Sequence, residues 1–100
     1  MYSMTKVKIV SGTTSKSCSC GSWLEHWENF SNNKAILCSA KLCLETQLVG
    51  VHVKKMHSTN GAQYIIPLCP YHNKLERVFE ISDNIILVSA DPKETCEKAK

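Results

Sequence analysis

Four residues carry the clearest chemistry in this sequence: Cys38 and Cys43, spaced Cys-x4-Cys, and Cys69 and His72, spaced Cys-x2-His. Thiolate sulfur and imidazole nitrogen are soft or borderline donors, and two close pairs of them are what a tetrahedral structural zinc requires. The segment Cys38-Ser39-Ala40-Lys41-Leu42-Cys43 reads as a knuckle, a tight turn that offers two sulfurs to one ion. Cys69 stands just before Pro70, which suits the first position of a helix, so His72 falls in that helix's first turn, beside Cys69.

Cys18, Cys20, His26 and Cys96 form a second candidate metal set, with a Cys-x-Cys turn, a histidine on the following helix and a cysteine in the tail. An oxidised pair involving Cys96, or thiols that remain unpaired, are the alternatives. Cys18 and Cys20 are not expected to bond to each other, because one intervening residue strains the bridge.

These ligands need elements to position them. Residues 6–10 alternate charge with apolar side chains and read as a strand with Val7 and Ile9 on one face. Ser22 is a candidate N-cap, with Glu25 three residues on, for a helix that ends near Ser31-Asn32-Asn33. Trp23, Trp27 and Phe30 share one helical stripe, expected to face the core; a stacking platform for bases or a partner is the alternative. Glu45 to Val53 reads as a strand carrying Val49, Val51 and Val53 on one face and His52 on the other. Ser58-Thr59-Asn60-Gly61 signals a turn, and Tyr64 to Leu68 is the returning strand. Tyr71, Leu75, Val78 and Phe79 have helical spacing after Cys69, and residues 80–88 read as a closing hairpin around Ser82-Asp83-Asn84.

Composition sets further bounds. One hundred residues make one small domain, for which a metal or disulfide staple is expected. Met1 to Val10 has neither the continuous apolar stretch of a signal peptide nor that of a membrane span. A reducing, cytoplasmic setting is therefore expected, where clustered cysteines bind zinc more often than they form disulfides. The formal net charge of +3 permits nucleic-acid binding without demanding it. No small-molecule cofactor site is evident, and no membrane partner is expected.

The order of knuckle, hairpin and helix-borne second ligand pair is the layout of a treble clef. Residues 38–80 resemble the zinc-stabilised, HNH-type branch of the ββα-metal nucleases. The matching pieces are Cys38 and Cys43, Gly50-Val51-His52-Val53, and Tyr64-Ile65-Ile66-Pro67-Leu68-Cys69-Pro70-Tyr71-His72 followed by Asn73. The resemblance implies a structural zinc on the four ligands, His52 as a general base, and Asn73 as a ligand to a catalytic Mg2+ or Mn2+. Two of the family's letters differ here: Val51 stands where a metal-binding Asp or His is frequent, and Tyr64 falls in register with the Asn that orients the base.

The expectation is an α+β zinc protein with an HNH-like treble clef, an added N-terminal strand and helix, and a C-terminal hairpin. Its function is expected to be binding of nucleic acid or a protein partner, with Lys54, Lys55, Lys74 and Arg77 as the cationic surface. A metal-dependent endonuclease is the alternative.

Overall fold

The strand Val49–Lys55 is the axis of the fold, because its alternate residues are claimed by two different coverings. Val51 and Val53 enter one apolar cluster with Val7, Ile66, Leu68 and Ile81, whereas Gly50 lies against the backbone of the first helix. The computed structural model describes residues 5–10, 22–56, 62–75, 77–82 and 85–90. Its elements are β1 (Thr5–Ile9), α1 (Trp23–Ser31), β2 (Val49–Lys55), β3 (Tyr64–Leu68), α2 (Pro70–Asn73), β4 (Phe79–Ile81) and β5 (Val88–Ser89). The five strands make one sheet in the order β4-β1-β2-β3-β5, antiparallel throughout. With α1 added, the architecture is α+β.

β2 and β3 form the expected hairpin, with Val51 opposite Ile66 and Val53 opposite Tyr64. The turn expected at Ser58-Thr59-Asn60-Gly61 lies outside the described residues. β1 is not an appendage to this hairpin but an interior strand, pairing with β2 through Val7 and Lys55 and with β4 through Val7 and Phe79.

The C-terminal hairpin is not formed. β4 pairs with β1 at one edge of the sheet and β5 pairs with β3 at the other. Burial explains the separation: Ile81 belongs to the cluster of Val51 and Val53, while Val88 packs with Trp27 and Ile65 beneath α1. The helix expected from Pro70 to Phe79 is likewise shorter. Regular helix stops at Asn73, the chain tightens through bonds from the Lys74 N–H to the Tyr71 carbonyl and from Leu75 to His72, and Phe79 joins the edge of β1.

The knuckle closes the sheet. The Lys41 N–H donates to the Glu80 carbonyl, the Ser82 N–H to Ser39, and the Ser39 N–H to Pro67, so residues 39–41 link β4 to β3. These bonds draw the two sides of the sheet around the cluster that holds Val51, Ile66 and Cys69. The curl also shortens the path from β4 to β5, since a flat sheet would set them about 19 Å apart at the usual strand spacing.

α1 covers the other face over β2, β3 and β5. The Ser22 hydroxyl accepts the Glu25 N–H at 3.1 Å, and Asn32 ends the helix in the left-handed region at φ 60. Trp27 is buried and its Nε1 donates to the Ile86 carbonyl at 2.8 Å. Phe30 differs from expectation: it is 44% exposed, and the inward stripe is completed by His26 and Ser31. His26 is fully buried, with Nε2 donating to the Ser89 carbonyl at 2.9 Å, a bond that fastens α1 to β5. Among the described residues no helix is long and apolar enough to cross a membrane.

A Cβ at residue 50 would stand 2.3 Å from the Trp23 carbonyl carbon and 2.4 Å from the Leu24 nitrogen, both backbone atoms that cannot rotate aside. Gly50→Ala is therefore expected to lift α1 off β2 at a cost of about 1–3 kcal/mol. Thermal denaturation should show this as a loss of about 4–8 °C per kcal/mol for a domain of this size.

Candidate metal centre

The four ligands foreseen in the sequence meet at one point. The donor atoms of Cys38, Cys43, Cys69 and His72 all lie within 4.8 Å of one another. Cys38 Sγ is 3.6 Å from His72 Nδ1, Cys69 Sγ is 3.2 Å from the same nitrogen, and Cys43 Sγ is 3.9 Å from Cys69 Sγ. Tetrahedral zinc with ordinary bond lengths would set sulfurs about 3.8 Å apart and sulfur and nitrogen about 3.5 Å apart. These three distances lie within about 0.3 Å of those values, so the cluster can hold a metal ion and is compatible with zinc. Cys38, Cys43 and Cys69 are free thiols rather than disulfide partners.

Local structure explains how each pair is presented. The Cys43 N–H donates to the Ala40 carbonyl, closing the knuckle, and Leu42 takes φ 65 to turn the chain between the two sulfurs. A leucine with positive φ and 90% exposure earns nothing from packing; it serves the turn. On the other side, Cys69 caps α2 in an extended conformation and Pro70 begins the helical turn that carries His72. The Cys69 N–H donates to Cys38 Sγ at 3.3 Å, a direct bond between the two halves of the site. His72 is held between the rings of Tyr71 and Phe79, at 5.1 and 5.6 Å between centroids.

The electrostatics follow from burial and crowding. Burial pushes the Cys38 thiol up to about 12, and the neighbouring thiols add to the rise. Burial acts in the same sense on Cys69, but hydrogen bonds from the His72 backbone and from the Cys38 and Cys43 side chains outweigh it and hold this thiol below its ordinary value. His72 lies below the ordinary imidazole range because burial disfavours its cation and the Arg77 charge adds to that effect. A neutral imidazole and one readily ionised thiol suit metal capture, and a divalent ion supplies the charge that ionises the remaining thiols.

The remaining expected site residues are dispersed. His52 is 4% exposed and its ring meets Trp23 edge-on, with 4.5 Å between centroids. It therefore lies beneath α1, on the face of β2 opposite Val51, Val53 and the cysteine cluster. Asn73 ends α2 in an exposed position. Lys54 and Lys55, adjacent on a strand, point to opposite faces, and Lys55 Nζ sits 5.3 Å from the centre of the Tyr64 ring. Lys74 and Arg77 are exposed and follow α2. Of the second metal set, Cys18, Cys20 and Cys96 lie outside the described residues, and His26 is engaged with Ser89. The structural part of His26 had no signal in the periodicity beyond its position three residues after Trp23.

An α+β fold closed by a Cys3His cluster is thus the class that fold and site define. The chain matches no protein-family model, no curated protein and no solved structure.

Zinc at this cluster would compete with protons for the ligands, so apparent affinity is expected to rise with pH and zinc to be released in mild acid. Because the imidazolium of His72 is disfavoured, protonation of the thiolates should govern that release. His72→Cys, which adds a thiolate, should shift the release curve while keeping the metal, as read by zinc appearing on a chromogenic chelator. Cys69→Ser should lower zinc affinity by more than about 100-fold, beyond the loss usual for a residue that only supports a ligand.

Proposed function

We propose that this chain is a zinc-held binding module of HNH-like, treble-clef type, in which the zinc is structural and no hydrolysis occurs. The observation that carries the structural role of the zinc is the closed ligand set. Three sulfurs and one nitrogen satisfy a tetrahedral ion completely, leaving no coordination position for water or substrate. A catalytic zinc keeps such a position open.

The treble-clef relation is supported by the chain order: knuckle, β2–β3 hairpin, then α2 with the second ligand pair at its start. The single turn of α2 is the main departure from that pattern. Its general-base chemistry is not favoured, because His52 is enclosed by Trp23 and the residue beside it, Val51, has no lone pair to offer a second metal. A general base must lie within hydrogen-bond reach of the water it activates, and that water must reach the scissile phosphate. The module's work is accordingly recognition, of nucleic acid or of protein.

Native mass spectrometry of the full chain, with and without chelation, tests the metal assignment: one zinc lost together with the fold is expected. Incubation of supercoiled plasmid with Mg2+ or Mn2+ tests the chemistry, and the plasmid should stay intact. Nicking abolished by His52→Ala, while a Lys34→Gln control remains active, would establish the endonuclease instead.

A further inference from the structure

The covering of the sheet by α1 is incomplete. The helix packs over β2, β3 and β5, and the same face continues across β1 and β4 beyond it. Val7 enters the cysteine-side core, so Lys6 and Lys8 project to the α1 side, as does Lys54, which pairs directly with Lys8. All three lysines are exposed. We propose that this strip of sheet, on which Lys6, Lys8 and Lys54 are exposed, binds the phosphodiester backbone of a nucleic acid. The inference rests on the reading of the chain as a binding module and names its partner and surface.

The register argues for a ligand. Like charges directly opposite each other in an antiparallel pair have their Cβ atoms about 4.5–5.5 Å apart and destabilise the ladder. The Lys8–Lys54 pair therefore works against the fold, and sheet formation alone does not account for it. Lys6 and Lys8, two residues apart, are separated by about 6.7 Å along the strand. The strip thus presents three ammonium groups at intervals that suit a linear, regularly charged chain.

Among the described residues, the carboxylate that faces the strip from β4 is itself paired. Glu80 stands opposite Lys6 in β4, but Lys41 Nζ lies 3.7 Å from its Oε2. Counted together, four ammonium groups against one carboxylate leave a local excess of +3. Three lysines on flexible stems recognise point charges rather than the planar, bidentate carboxylates that arginine favours. The strip's outward positions on β1 are polar, with no large apolar side chain to enter a lipid surface.

Fluorescence anisotropy of the zinc-loaded chain with a labelled oligothymidine, and separately with a labelled duplex, tests the proposal. Three phosphate contacts predict a slope of log affinity against log salt of about −2 for the single strand and about −2.7 for the duplex. Between about 50 and 200 mM salt, affinity should fall roughly 20-fold for the single strand and roughly 40-fold for the duplex. Each of Lys6→Gln, Lys8→Gln and Lys54→Gln should weaken binding and reduce the slope by about 0.7–0.9, while Lys34→Gln changes neither. No binding at the lowest salt, a triple variant that binds like the parent, or tighter binding of polyglutamate than of either nucleic acid would overturn the proposal; the last result would assign the strip to an acidic protein. Zinc measured in the same samples separates the two readings: binding that persists in metal-free, folded protein would remove the structural role of zinc and leave the lysine strip standing.

Discussion

The approach of Cys38 and Cys43 to Cys69 and His72 closes a loop of chain that contains the whole β2–β3 hairpin, and the sheet is built around that closure. The sulfur of Cys38 accepts the N–H of Cys69, and residues 39–41 extend from the same knuckle to hydrogen-bond both β3 and β4. Without an ion, burial resists ionisation of the Cys38 thiol, while the hydrogen bonds around Cys69 favour it there. With one, the same donors become a cross-link whose binding free energy is available to the folded state. A chain of 100 residues has a small core, so a tie at this point has large leverage.

The two faces of the sheet then solve different problems. On the cysteine side, Val7, Val51, Val53, Ile66, Leu68 and Ile81 form the larger apolar cluster. On the helix side, the covering is aromatic and polar: Trp23 lies against both His26 and His52, while Trp27 and His26 bond to carbonyls near the C-terminal strand. Buried polar groups are tolerated where they find partners, and these bonds specify where α1 sits. The close passage of α1 over Gly50 has the same effect in steric form.

The metal cluster was legible because its information is local: two short spacings and a proline mark both halves of the site. The β2–β3 hairpin was legible from alternation, and α1 from its serine cap and from the asparagine that ends it. What escaped the sequence is non-local. Phe79 has helical spacing from Tyr71, yet the open edge of β1 recruits it as strand. Ile81 and Val88 look like two arms of a hairpin, but each is buried in a different core. His26 reads as a candidate ligand, and the sequence does not show its burial or the bond to Ser89 that fastens α1 to β5. His52 is on a strand as expected, and only the position of α1 reveals what encloses it. Whether a residue serves chemistry or packing depended, in each case, on an element distant in sequence.

The interior position of β1 has a consequence for the order in which the molecule can assemble. Its partners lie at residues 53–55 and 79–81, so both of its edges are paired only once segments distant in sequence have come together. The four candidate ligands, by contrast, all fall within residues 38–72. The cluster and the β2–β3 hairpin thus draw on one continuous stretch of chain, whereas the pairing of β1 joins segments far apart in sequence.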